Sequence, residues 1–524
     1  MSKKLSYIAT CLLAALLLVG ATGLAESKVL VIGDPNSAGD INPLIGKNIM
    51  AEYVCINVYD TLVLRGTKTS PEGYLMEDQN VTIPGLAEAW AISADGLIYT
   101  FTLREGVTFH NGSAFDSADV VHYFNLLQTV GSYASLFGEL IESVTAPDAY
   151  TVVVTLSHVD TQFLRRISTY NGCITDAETL VAEAGEDAES QMNWLASHAI
   201  GTGPFALEEI ATDRIRLTAN PDYWRGAPNL DGVVLLTVPE AGNRKMMLER
   251  GDLSIADQPS TVDYESLISN PDIDLVIRPG NSKVYYIGMN VTAAPFDNVL
   301  VRKAIAHAIP YDDIRFVVVG GDDYAPSASS IITSDLPGHV SAFTCEYDLE
   351  EAKRLLTEAG YPNGLDIQFD LFNVATFEKC AVMLQAELQK IGVRMSIAPM
   401  APPAFFSAGD AGALNLFIVS WWDNNADPVS LLNKIVHSSS IPAGGNWAQF
   451  SSAEADALIE KAAVEMDATT RDGYVASVQE IVGEQVPYAP IWEARIIFAA
   501  RKGVVGHVHY SDALYRFFDM DLVP

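Results

Sequence analysis

Two hydrophobic periods take turns along this chain. KVLVIG (Lys28 to Gly33) and AYTVVVTL (Ala149 to Leu156) are apolar runs of strand length, bounded by turn residues. LIYTFTLREGVTF (Leu97 to Phe109) alternates with period two on both sides of Arg104-Glu105-Gly106, which predicts a hairpin turning there. DLEEAKRLLTEAGYP changes to the 3.6-residue period, with Asp348 as N-cap, Gly360 as the stop and Pro362 just beyond. FEKCAVMLQAELQKIGV repeats that grammar and ends at Gly392. The last helical segment is Arg471 to Gln485, after which APIWEARIIFAA returns to strand. Earlier, PGLAEAW predicts a short helix behind Pro84, followed by a turn at Gly96, the hairpin, a turn at Asn111-Gly112 and a helix capped by Asp116 or Ser117. Strand and helix patterns alternate without an internal repeat, so the expected fold class is α/β.

The first 25 residues stand apart from this pattern. Lys3 and Lys4 precede an apolar run of about a dozen residues, and Gly23 and Ala25 then fit a secretory cleavage site. The run is too short for a membrane span. No cysteine follows it to accept a lipid, so the expected product is exported, soluble and periplasmic. The remaining 499 of 524 residues suffice for two or three domains. Losing Lys3 and Lys4 takes the formal charge from −34 to −36, a surface that repels nucleic acid and anionic membranes. Cys55, Cys173, Cys345 and Cys380 form no CxxC, which argues against zinc and thiol-redox sites. Sequence proximity pairs Cys345 with Cys380, and buried free thiols are the equal alternative.

Enzymatic signatures are missing. There is no GxSxG, HExxH or GxxxxGK[ST], and GTGPFA at Gly201 follows a helix-like segment and leads through Pro204 into the hairpin FALEEIATDRIRLTA, which makes it a turn. His507 and His509 could share a metal at alternate strand positions, but no third ligand accompanies them. The absence of these motifs does not exclude an enzyme but removes the positive case for one, and the expectation is no catalytic residue, no metal and no cofactor. One segment does suggest a ligand: in VSWWDNNADPVSLL (Val419 to Leu432), Trp421 and Trp422 point to opposite faces if extended, so one of them emerges beside a run of carboxylates and amides.

The order of blocks carries more than any one of them. Asn42-Pro43, VYDTLV, PGLAEAWAISADGLIYTFTLREGVTFHNGSAFDSADVVHYFN, GTGPF, NPDYW, YYIGMN, PFDNVLVRKAIAHAI and WWDNNADP together resemble the family 5 solute-binding proteins of ABC importers, the peptide and nickel type, over nearly the whole chain. The resemblance implies a two-lobed periplasmic-binding-protein fold with a hinge and three structural domains. Residues 26–57, 200–282 and 495–524 would form the core of the first lobe, 58–199 its inserted domain and 283–494 the second lobe, with crossings near Val284 and Arg495. It also implies a non-enzymatic receptor, monomeric, that delivers a solute to membrane permease subunits. The ligand wall would comprise Trp421, Trp422, Asp423 and Asn424, facing Lys47, Asn48 and Tyr53.

In the family, peptide binders carry an aspartate at the register of Asn424 for the ligand's ammonium; here Asp423 stands one position earlier. The arginine that dipeptide binders use for the ligand carboxylate has no counterpart between Leu365 and Glu378. An oligopeptide is the expected solute, with an oligosaccharide or other non-peptide solute as the alternative, nickel behind both, and a secreted hydrolase as the competing class. His110 and its neighbours Phe109 and Asn111 are expected to be structural.

Overall fold

The computed structural model describes residues 27–37, 39–45, 48–132, 134–421 and 427–524. The proposed leader, Lys47, Trp422, Asp423 and Asn424 lie outside these residues. In chain order the strands are β1 (Val29–Asp34), β2 (Val63–Thr69), β3 (Leu75–Pro84), β4 (Ala87–Ile92), β5 (Ile98–Leu103), β6 (Ile141–Asp148), β7 (Thr151–Leu156) and β8 (Phe205–Ile210). There follow β9 (Arg214–Ala219), β10 (Gly232–Thr237), β11 (Ile255–Asp257), β12 (Ile273–Met289), β13 (Asp366–Phe372), β14 (Arg394–Met400), β15 (Leu416–Trp421) and β16 (Tyr488–Arg501). Ten of them form one mixed sheet in the order β14-β13-β15-β12-β16-β11-β1-β10-β9-β8.

Two long antiparallel strands tie this sheet together. The first part of β12 pairs with the last part of β16, from Ile273 opposite Arg501 to Pro279 opposite Arg495. Pairing is interrupted and resumes at Val284 opposite Glu493, after which β12 gains β15 as its other neighbour. On one flank the sheet is β1, β10 and β11 in parallel, extended by the antiparallel hairpin β8–β9. On the other, β13 runs parallel to both β14 and β15. Separate apolar clusters cover these flanks, one around Leu30, Ile32 and Val233, another around Phe369, Leu384 and Ile418.

A second sheet, β4-β5-β7-β6, has its own core. Val152, Val154 and Leu156 of β7 are buried at every other position, as the period-two pattern requires, against the helix Ser117–Thr129. Asp116 caps that helix in a capping box with Asp119.

Two expectations fail here. PGLAEAW does not form a helix: Ala87–Ile92 is β4, paired with β5. A handful of helix-favouring residues cannot meet the cost of nucleating a helix, whereas an adjacent strand offers each of them a ladder position. The second arm of the hairpin expected after Arg104 does not pair with β5 either, because β4 and β7 already occupy both edges of β5. The chain instead closes a small loop, with Phe109 N–H donating to Ser113 O and Phe115 N–H to Val107 O.

GTGPF is a close-packing turn. A Cβ at Gly201 would lie 2.0 Å from the carbonyl oxygen of Val58, and one at Gly203 would lie 2.7 Å from it. His110 fixes the same turn through Nε2 and Gly203 O at 2.9 Å, and Asn111 donates to Asp176 and Thr179. The proposed Cys345–Cys380 pair is not formed. All four cysteines described are free thiols, and these two join the same apolar cluster as small hydrophobic side chains.

Candidate ligand-binding site

A cleft of about 1090 Å³ opens between the two flanks of the long sheet. Its first wall is built from the helix Ile49–Val58, the end of β11 and the C-terminal segment, which bring Glu52, Tyr53, Asp257 and Tyr515 together. Its second wall is the helix Pro428–Ile435, presenting Ser430, Asn433 and Lys434. Lys283 of β12 and Arg495 of β16 lie at the floor, where the two crossing strands are interrupted. Across the mouth, the ring of Tyr264 meets that of Tyr324 at 4.5 Å.

Local sequence explains how each wall is held. Asn48 is the N-cap of the first helix: its Oδ1 accepts from Met50 N–H at 2.8 Å and its Nδ2 donates to Ser37 O at 2.7 Å. The DP pair of WWDNNADP plays the corresponding part on the other side. Asp427 caps the helix by accepting from Val429 N–H and Ser430 N–H, Pro428 occupies the first turn, and Arg471 anchors the cap at 2.6 Å. Trp421, the last residue of β15, turns into the core with 8% of its surface exposed. It meets the Trp447 ring edge-on at 4.8 Å, and the Lys434 ammonium lies 4.3 Å from its centroid. It stands behind the lining helix rather than among the lining residues.

Charge is divided across the cleft. Burial, then the nearby Asp512, pushes the Glu52 carboxyl up to about 8. Asp257 is raised well above the usual carboxylate range by burial and then by the adjacent Asp34 carboxylate. Tyr53 and Tyr515 are raised by burial and stay phenols, directed at Asp257 from 3.5 and 3.3 Å. Lys283 and Arg495 lie on the floor and Lys434 on the second wall, while Arg166, paired with Asp160 at 2.7 Å, lines the cleft from the inserted segment.

Of the residues singled out from sequence, Asn48 and Tyr53 line the cleft, and Trp421 supports its second wall. Glu52, Asp257, Lys283, Lys434, Arg495 and Tyr515 were missed. The two crossing points named Val284 and Arg495, which is the one signal that pointed near the floor. The rest converge from segments too far apart in sequence for any spacing rule. No group of three His, Cys, Asp or Glu among the described residues is arranged to hold a metal. Burial pushes His507 down to about 3 and His509 to about 4; they pack on Phe498 and Tyr515, and on Tyr74, as neutral rings. The cleft therefore offers hydrogen bonds and charges of both signs for holding a solute.

Known proteins share this architecture. The profile of the bacterial extracellular solute-binding proteins, family 5 (middle), matches residues 81–443. Heme-binding protein A of Haemophilus influenzae is 32% identical over 443 residues, 78% of each chain. Di/tripeptide-binding protein 2 of Pseudomonas aeruginosa is 30% identical over 452 residues, 81% of this chain and 84% of that one. Among solved structures, the periplasmic binding protein DppA of Helicobacter pylori in complex with the peptide STSA is 27% identical. It superposes with a TM-score of 0.79 over 95% of this chain and 98% of that one. No helix among the described residues is long and apolar enough to cross a membrane. With the profile and both relatives covering most of the sequence, and the α/β periplasmic-binding-protein fold shared with the solved structure, this chain belongs to the family 5 extracellular solute-binding proteins, the substrate-binding components of ABC transporters.

Proposed function

We propose that this protein captures an oligopeptide between two lobes and hands it to its permease, without catalysing any change in it. The observation that carries the reading is the cleft of about 1090 Å³, with carboxyls and phenols on one wall and three of its four described lining Lys and Arg side chains, Lys283, Lys434 and Arg495, on the floor and the other. That volume lies at the upper end of small-molecule pockets and suits a chain of several residues. The two-sided charge suits a zwitterion whose backbone amides meet the polar side chains between.

The lobes would be residues 26–57, 200–282 and 495–524 with the insert 58–199, and residues 283–494. They would turn about the interruption between Pro279 and Val284 on β12 and between Arg495 and Glu493 on β16. Tyr264 against Tyr324, and Thr161 Oγ1 donating to Ala463 O at 3.5 Å, would be closing contacts. Trp422, Asp423 and Asn424 would complete the second wall, with Asp423 taking the ligand's ammonium, and Lys47 would add to the first beside Asn48 and Tyr53. The protein acts as an exported monomer. Thermal-shift screening against pools of short peptides and of oligosaccharides tests this: a peptide pool should raise the midpoint and reduce the radius of gyration. A rise with oligosaccharides alone would replace the peptide reading.

A further inference from the structure

Asp34 and Asp257 end adjacent parallel strands. The register pairs Ile32 with Ile255 and Gly33 with Ala256, so the two carboxyls are the next residues at the C-terminal edge of the sheet, where open α/β sheets place their ligands. Asp34 is fully buried and Asp257 is 8% exposed, lining the cleft. Asp257 accepts from the Tyr53 and Tyr515 hydroxyls at 3.5 and 3.3 Å and from Gln258 N–H at 3.2 Å, whereas Asp34 is short of donors. Both donors of Asn36, the backbone N–H at 2.7 Å and Nδ2 at 2.8 Å, reach Asp34 Oδ1. Asp34 Oδ2 receives no hydrogen bond from any described residue. Arg244, a buried cation, directs its guanidinium at four backbone carbonyls, those of Val238, Pro239, Asp257 and Gln258, and at neither carboxylate. Tyr53 and Tyr515 complete the surroundings from the helix above and the C-terminal segment, while Phe498 faces Asp257 from β16.

From this geometry we infer that Asp34 and Asp257, with the phenols of Tyr53 and Tyr515, form a subsite for a cationic side chain, so that the preferred peptide carries a lysine or arginine. This rests on the peptide reading above and is separate from the anchoring of the ligand's terminal ammonium. A buried carboxylate oxygen without a donor is costly unless a proton or a cation meets it. Without a cation a proton on Asp257 serves, since burial and the Asp34 charge favour the protonated carboxyl. An entering ammonium or guanidinium donates to Asp257 in that proton's place, the phenol oxygens accept its remaining N–H groups, and the proton leaves to solvent. No covalent bond changes. The formal charge of −34 draws cationic ligands toward the protein.

The test compares Ala-Lys-Ala and Ala-Arg-Ala with Ala-norleucine-Ala by calorimetry near pH 6, each in two buffers of different ionisation enthalpy. Wild type should bind the basic peptides at least about tenfold more tightly, a charge-assisted bond being added. It should release up to about one proton more with them than with the norleucine peptide. Asp257→Asn should remove both the preference and the extra proton, and Asp34→Asn should do so in part. A thermal midpoint of Asp257→Asn no lower than wild type would show that the fold is intact. Equal affinity for the basic and norleucine peptides in wild type would overturn the subsite and leave the peptide reading standing, as would a preference that survives Asp257→Asn. Failure of all three peptides to bind would overturn both.

Discussion

Trp421 and Trp447 show how a single side chain is committed before any ligand arrives. Both are buried, and they pack edge to face, but their polar atoms differ. Trp447 Nε1 donates to Asp410 at 3.0 Å, and the rings of Phe405, Phe406 and Phe417 surround its indole. Trp421 Nε1 has no partner among the described residues. Replacing Trp421 with Phe therefore removes volume but no hydrogen bond, and should cost about 1 kcal/mol. Trp447→Phe loses volume, the bond and three ring contacts, for about 2 to 3 kcal/mol. Urea unfolding of the two variants checks the order. A larger loss at Trp421 would mean that its indole N–H is satisfied.

At the scale of elements, the β2–β3 hairpin is clamped to the C-terminal segment by a buried network of charges. Glu77 of β3 accepts from Arg65 at 3.3 Å and Arg165 at 2.7 Å, and from the Ser511 N–H at 2.9 Å and hydroxyl at 2.7 Å. Asp512 pairs with Arg516 at 2.8 Å and with Arg65 at 3.2 Å. Burial by itself would raise the Glu77 carboxyl, yet the two guanidiniums overcome it and hold it down to about 2. Glu77→Gln keeps the shape but leaves Arg65 and Arg165 undercompensated in the interior, so it should cost about 3 to 5 kcal/mol. Thermal unfolding measures the total, and faster proteolysis within 63–84 would locate the loosened element. The hairpin also shows why local rules stop short: the pattern of β3 gives no hint that its glutamate meets the chain's last segment more than 400 residues later.

For the whole molecule, these shifts combine into a stability profile with two falling sides. Glu52, raised to about 8, and Asp257, also raised, favour the folded state fully below the unfolded carboxyl range, and lose that advantage as pH rises through about 8. His507 and His509, pushed down to about 3 and 4, act in the opposite sense: their contribution is complete above about 6.5 and is lost as pH falls toward those values. Glu77 and Asp512, both lowered, contribute above the ordinary carboxylate range, and Glu77 gives up its share as pH falls through about 2. Between about 4.5 and 6.5 the histidine and raised-carboxyl slopes oppose each other, so the thermal midpoint should be nearly flat there and fall on either side. Glu52→Gln should remove part of the alkaline fall, leaving the variant about 1 to 2 kcal/mol more stable than wild type near pH 8.5. Calorimetric scans from pH 4 to 9 decide it. A profile for Glu52→Gln parallel to wild type would contradict the charge assignment on the first wall.

What the sequence determined by itself was local and serial. Asp348, Gly360, Asp116 and Gly392 mark their boundaries because caps and left-handed turns depend on a few adjacent residues. β1, β7 and β16 were legible as strands because burial imposes its period on a single segment. The order of blocks placed the chain in its family. Tertiary structure decided the remainder. It made β4 a strand against the propensity of Ala-Glu-Ala, since a partner edge outweighs a preference of tenths of a kilocalorie per residue. It gathered Glu52, Asp257, Arg495 and Tyr515 around one cleft, because parallel strands, a crossing pair and a returning C-terminus bring distant segments to one edge of a sheet. It also set their protonation, which depends on burial and on neighbours that no spacing along the chain encodes.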